Sequence, residues 1–255
     1  MRDEYRELVE AFGPVAGTYE RARPGYPPAL VDLLRSGAGL GPGTRAVDVG
    51  AGTGKLTRAL AATGAEVVAV EPVAGMRAEF RRALPGFELR PGSAEALPLP
   101  DGCADVVAAG QAFHWFDPAR ALPEIHRVLR AGGTLVLVWN ARDESRWPWD
   151  RVTPVLERFR RSAPRIAGSA SQEAVAASPL FGPVLEARFR NDLTSTRAGF
   201  LDRVASTSFV AALDGADRAV LLEEIGEILD QTAAGDAVPL PYVTEVYRSR
   251  AEPHR

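Results

Sequence analysis

Residues 45–56 read RAVDVGAGTGKL. An apolar run ends in three alternating glycines, Gly50, Gly52 and Gly54, and a helix-like segment starts at Lys55. Strand, glycine turn and helix in that order bring a ligand against bare backbone at a helix N-terminus. Spacing then sorts the ligands. A triphosphate loop needs glycine five positions before the glycine of Gly-Lys, and a hydroxyl after the lysine. Val49 and Leu56 stand there instead. A dinucleotide fingerprint begins correctly at Gly50 but meets Lys55 at its sixth position, where the third glycine belongs. Asp48, in the strand before the loop, sits uneasily against a pyrophosphate. It suits a ligand that carries an ammonium group and a cationic sulfur.

Outward from the loop, strands and helices alternate. PALVDLLRSG is a helix that opens on prolines and closes on glycine. KLTRALAATG is a helix, AEVVAVEP a strand, AGMRAEFRRAL a helix and FELRPG a strand. CADVVAAGQ, PARALPEIHRVLR and TLVLVWN continue as strand, helix and strand, the last entered through an AGG turn. This rhythm predicts parallel strands with right-handed crossovers and helices on both faces. It breaks at about residue 141. Helices and loops with prolines and WPW follow, then a strand at PVLEARFRNDL. Helices are predicted over 197–205 and 216–232, and a strand at VPLPYVTEVYRSR.

The 255 residues suit one large domain, and 46% hydrophobic with 25% charged residues is ordinary globular composition. A formal charge of −3 argues against a strong field for nucleic acid. Lys55 is the sole lysine, a bias of composition rather than a functional signal. One cysteine, Cys103, excludes an intramolecular disulfide and a cysteine zinc cluster. The charged N-terminus lacks the apolar core of a signal peptide, and no apolar run reaches membrane-spanning length. The expectation is therefore a cytoplasmic protein without membrane insertion. His126 and His254 read as structural or exposed, and no His/Asp/Glu grouping has metal-binding spacing.

VDVGAGTG, VEP, GSAEALPLPDGCADVV, AFHWFD and RVLRAGGTLVLVW together resemble the class I S-adenosylmethionine (SAM)-dependent methyltransferases. The similarity is greatest to the small-molecule branch with ubiquinone/menaquinone- and trans-aconitate-type enzymes. It implies a doubly wound, Rossmann-like α/β fold: a mostly parallel seven-stranded sheet, an antiparallel last strand and a helical cap after strand five. One domain would span 1–255, with an N-terminal helical arm over 1–40 and a cap over 141–180.

The resemblance assigns roles. Gly50, Gly52 and Gly54 would line the methionine part of SAM, and Asp48 would hold its amino group. Glu71, after VVAV, would take both ribose hydroxyls on its two oxygens. Pro72 and Met76 would flank the adenine, Met76 equally well a core residue. Ser93, Ala94 and Glu95 would form the adenine loop, and Gln111 would face the cofactor. His114 would approach the methyl group or the acceptor and take a proton from it, or else only support its loop. In the arm YERARPGYP, Tyr19 would touch the acceptor and Arg23 would pair with the methionine carboxylate. Trp115, Arg146 and Trp147 are candidates for the acceptor side, although tryptophan there is often packing.

The reaction implied is methyl transfer from SAM to a small-molecule oxygen, nitrogen or carbon, leaving S-adenosylhomocysteine (SAH). Two classes of reading compete: a non-catalytic SAM- or SAH-binding protein or SAM-using enzyme with non-transfer chemistry, and an NAD(P)-dependent oxidoreductase. Nucleic-acid methylation is disfavoured, because Gln111-Ala112-Phe113-His114 stands where base-amine methyltransferases carry N/D-P-P-Y/F. The acceptor and the oligomeric state are not legible in the sequence.

Overall fold

Two prolines and a glycine delimit the first helix among the described residues. In the computed structural model, which describes residues 24–160, 168–231 and 236–253, α1 spans Pro28–Ala38. Pro28 has the fixed φ of a first helical turn. Gly39, at φ 72°, closes the helix by donating its N–H to the Leu34 carbonyl.

From there β1 (Arg45–Val49), α2 (Lys55–Ala61), β2 (Glu66–Val70), α3 (Ala74–Ala83), β3 (Glu88–Arg90) and β4 (Ala104–Gly110) follow. A 3₁₀ turn (Phe113–Trp115), α4 (Pro118–Val128) and β5 (Leu129–Arg142) complete the alternating part. Then come α5 (Trp149–Arg160), α6 (Gly168–Ala176), β6 (Leu185–Thr196), α7 (Arg197–Ala205), α8 (Ser208–Ala211), α9 (Gly215–Asp230) and β7 (Ala237–Arg250).

The sheet order is β3-β2-β1-β4-β5-β7-β6. The first five strands are parallel, and β7 runs antiparallel between β5 and β6. The expected seven strands and antiparallel last strand are present. Strands β1 and β2 are buried on both faces, hence their nearly continuous apolar sequences. The AGG turn does not separate helix from strand: β5 starts at Leu129 and runs through Gly132 and Gly133 with a register shift against β4.

One face of the sheet packs on Ile125, Leu129 and Phe113, the other on Leu30, Leu34, Leu56 and Leu60. A third cluster lies past the sheet, where Trp149, Phe200, Leu221, Ile225 and Tyr242 pack together. The segment 141–180 thus contributes helices with different partners. Helix α5 joins α8 and α9 in that third cluster, whereas α6 returns to the sheet against α4, β5 and β7. Among the described residues, no helix is long and apolar enough to cross a membrane.

Candidate functional site

Parallel strands end together at the carboxyl edge of a doubly wound sheet, where ligands bind. The three glycines of the β1–α2 loop all have positive φ, 69°, 57° and 92° for Gly50, Gly52 and Gly54, yet they border different things. A Cβ on Gly50 would press on Ala112 and the Phe116 ring, so its absence lets the β4–α4 loop approach. A Cβ on Gly54 would collide with Leu84 and Phe80 of the following unit. Only Gly52 faces open space. Of the three, Gly52 is the bare backbone that a ligand can reach.

Two carboxylates flank it. Asp48 is fully buried (0% exposed) at the end of β1. Its Oδ2 accepts from the Thr57 hydroxyl at 2.6 Å, and its Oδ1 is buried without a hydrogen-bond partner. Burial pushes the Asp48 carboxyl up to about 7; the Thr57 hydroxyl opposes the rise and the nearby Glu71 charge adds to it. Glu71 is 5% exposed. It accepts from the Gly52 N–H at 2.9 Å on Oε2 and from the Val73 N–H at 2.8 Å on Oε1. Burial raises its pKa as well, against those two backbone bonds. Two buried acids with one unsatisfied oxygen make a seat for a cation, in keeping with the reading of Asp48 above.

This arrangement has a consequence for stability. Between about pH 4 and 7 folded Asp48 holds a proton that the unfolded chain, at about 3.8, has released. Stability without ligand therefore falls as pH rises through that window, by about 4 kcal/mol in the limit. Urea denaturation at both ends of the window checks this. Asp48→Asn should lose far less stability on going to neutral pH than the wild type. Parallel losses in the two proteins would remove Asp48 as the cause.

Pro72 is exposed, and Met76 is buried in α3. Ser93 is half-buried and bridges to Ala96, and Ala94 is buried. Glu95 is no solvated loop residue: it is buried, and its Oε1 accepts the Asp117 N–H at 2.9 Å, holding the start of α4. Leu97 donates to Glu124, and Arg127 donates to the Leu97 and Leu99 carbonyls, so the loop is fastened to α4 along its length.

Gln111, at φ 57°, is the one non-glycine residue with positive φ among the described residues. Such strain at a strand end is a mark of functional sites. Its N–H donates to the Val138 carbonyl, and its side-chain amide donates to the Asn140 carbonyl at 3.1 Å. His114 follows on the 3₁₀ turn, half-buried, anchored by Phe113 beneath it.

Tyr19 and Arg23 lie outside the described residues, but the arm reaches this edge at its next positions. The Gly25 carbonyl accepts from Asn140 Nδ2 at 3.0 Å and from Asn191 Nδ2 at 2.8 Å. Thr244 donates to Asn140 Oδ1 at 2.6 Å. A Cβ on Gly110 would lie 2.5 Å from Tyr26 Oη, so the arm crosses the end of β4.

The comparisons with known proteins agree with this geometry. A family described as a methyltransferase domain matches residues 47–137. An uncharacterized methyltransferase of Mycobacterium tuberculosis is 38% identical over 247 residues, 96% of this chain and 97% of that one. A methyltransferase-like protein of Schizosaccharomyces pombe is 32% identical over 250 residues, 96% and 97% of the two chains. Among solved structures, that of a protein described as a type II methyltransferase from Anaeromyxobacter dehalogenans has a TM-score of 0.68 at 29% identity. The match covers 91% of this chain and 99% of that one. The chain belongs to the class I SAM-dependent methyltransferases.

In this methyltransferase the residues expected on the acceptor side have different surroundings. Trp115 packs against the main core, and its ring lies tilted against that of His114 with centroids 4.5 Å apart. Arg146 pairs with Asp192 and Asp143 near the surface. Trp147 leans on the third cluster. Trp149, which the sequence also offers for an aromatic or acidic acceptor or for packing, is fully buried at that cluster's centre, 4.6 Å from Phe200 and 5.9 Å from Tyr242 by ring centroids. Asn140, Asn191 and Thr244 carry no local sequence signal, because their meeting depends on the pairing of β5, β7 and β6. Among the described residues, no group of three His, Cys, Asp or Glu could hold a metal.

Proposed function

We propose that the enzyme transfers a methyl group from SAM to a small-molecule nucleophile at the carboxyl edge of β1, β2 and β4. The unsatisfied, buried Asp48 oxygen beside the open face of Gly52 is the observation that carries this reading. SAM supplies an activated methyl on a sulfonium, so the protein contributes alignment and exclusion of water.

Asp48 holds the amino group of the methionine part, which compensates a charge that burial otherwise disfavours. Gly52 leaves the backbone open against that part. Gly50 and Gly54 serve the same site indirectly, by letting Ala112, Phe116, Phe80 and Leu84 close around the loop. Glu71 retains acceptor capacity on both oxygens for the ribose hydroxyls, since each carboxylate oxygen accepts more than one bond. Pro72, Met76, Ser93, Ala94 and Glu95 border the adenine. Gln111 is held in its strained conformation facing the donor, and Arg23 of the arm pairs with the methionine carboxylate. His114 takes the proton of an acceptor that arrives protonated, with Tyr19 beside it.

In this reading residues 1–255 are one domain, residues 1–40 an arm over the donor, and residues 141–180 part of a cap over the acceptor. Calorimetry with SAH, then a screen of small acids, phenols and quinones for transfer of a tritiated methyl group, tests it. SAH should bind, and label should reach at least one acceptor class. Binding of NAD(P) with none of SAH would overturn the proposal. SAH binding without transfer to any acceptor would leave a binding protein.

A further inference from the structure

Arg203 is 5% exposed on α7, inside the third cluster. A guanidinium stays charged at any ordinary pH, and a buried charge without a partner costs several kcal/mol. Yet none of the ion pairs among the described residues reaches Arg203. Its Nε donates to the Tyr242 hydroxyl at 3.0 Å, and its Nη1 is buried with no hydrogen-bond partner. The neighbouring acids are turned elsewhere. Asp202 is exposed, and Asp143 and Asp192 are engaged by Arg146.

Other buried donors nearby are in the same position. Trp149 Nε1 and Thr153 Oγ1, one turn apart on α5, are both buried and unsatisfied. Trp149 and the Arg203 guanidinium each lie 5.9 Å from the Tyr242 ring. A second guanidinium, Arg142, stands 4.6 Å over the Trp149 ring and donates to Thr207, just past the end of α7. Indole N–H can only donate, and so can guanidinium N–H. Orphaned buried groups call for an explanation, and here what they lack is an acceptor with negative charge.

We propose that Arg203, Trp149 and Thr153, with Arg142, bind a carboxylate carried by the methyl acceptor. The planar guanidinium fork matches a carboxylate, and the aromatic surroundings of Trp149, Phe200 and Tyr242 suit an apolar body attached to it. Position supports this. Arg142 follows Asn140 by two residues on the same face of β5, about 7 Å along the strand. Asn140 in turn holds both Gln111 and Gly25. Tyr242, which Arg203 touches, pairs with Arg142, so a carboxylate there lies two strand residues from Asn140 on the side of the fold where methyl transfer is placed, on which reading this inference rests.

The test titrates the full chain, with SAH present, with phenylacetate and hexanoate, and with their neutral amides as controls. The carboxylates should bind and raise Tm, and the amides should not. Arg203→Met should weaken carboxylate binding by about 10- to 100-fold, as expected for loss of a charged hydrogen bond. Its SAH affinity should stay within about threefold of the wild type, a much smaller change than any charged contact to SAH would give. Trp149→Phe keeps a ring in place and removes the indole N–H. It should weaken carboxylates in the same sense, and it serves if Arg203→Met does not fold. Amides binding as well as acids, no carboxylate binding, or full binding retained in both variants would overturn the proposal. Failure of SAH to bind, with carboxylate binding intact, would instead count against the methyl-transfer reading.

Discussion

Glu71→Ala should lose SAH affinity by about 10²- to 10⁴-fold, because two charge-assisted hydrogen bonds to ribose are each worth about 1.5–3 kcal/mol. The geometry makes this a clean deletion. Glu71 is held by the Gly52 and Val73 amides, so its orientation is fixed before any ligand arrives. Both amides belong to half-buried residues that water can reach, so folding should suffer much less than binding. The substitution also removes a negative charge that pushes the Asp48 pKa up. Asp48 should therefore ionise more readily in the variant, which offsets a little of the lost affinity and moves the expected loss toward the lower end of that range. Glu71→Gln keeps the shape and one acceptor oxygen, and it should fall between the two. Calorimetry with SAH measures all three proteins, and circular dichroism checks their folding. An SAH Kd within threefold of wild type for Glu71→Ala would take Glu71 out of the donor site.

Glu71 was legible because its placement is a local matter. A strand of VVAV followed by an acid and a proline puts the acid at a strand end, whatever the remainder of the chain does. The glycine loop was legible for the same reason, since positive φ is demanded by the turn itself. What the individual glycines border was not. Gly54 makes room for Phe80 on another helix and for Leu84 just past its end, and that contact exists only once β1 and β2 have paired. Glu95 reads as part of an adenine loop, but its bond to Asp117 depends on that loop folding back over α4.

Beyond residue 141 local pattern tells less still. The strand at 237–250 is readable, but its pairing between β5 and β6 is not, and that pairing brings Asn140, Asn191 and Thr244 to the Gly25 carbonyl. One signal was present and unused. Phe200, Arg203 and Val204 share a helical face at i, i+3 and i+4, so an arginine stands in an apolar stripe. A charge in that place implies either a buried partner or a ligand.

His114→Ala should lower kcat by about 10²- to 10⁴-fold on an acceptor whose nucleophile carries a proton, the usual range for general-base help. The turn that carries His114 is set rigidly enough for that role. Phe113 is buried, the Trp115 N–H donates to the Ala112 carbonyl, and Phe116 packs toward Gly50. The turn follows directly on Gln111, so the imidazole is supported by the same strained strand end that faces the donor. A residue that only propped up this loop would also shift Gln111 when removed, and SAH affinity would fall together with kcat. A base leaves a different signature. SAH affinity and the KM for the acceptor stay near wild type, kcat falls, and the rise of kcat with pH near neutrality, where imidazole loses its proton, disappears. On an acceptor that is already ionised, such as a carboxylate oxygen, the same variant should keep nearly full kcat. Comparing a phenol with a carboxylic acid therefore separates proton removal from loop support. Equal losses on both acceptors, with weakened SAH binding, would leave His114 a supporting residue and give methyl transfer here no protein base.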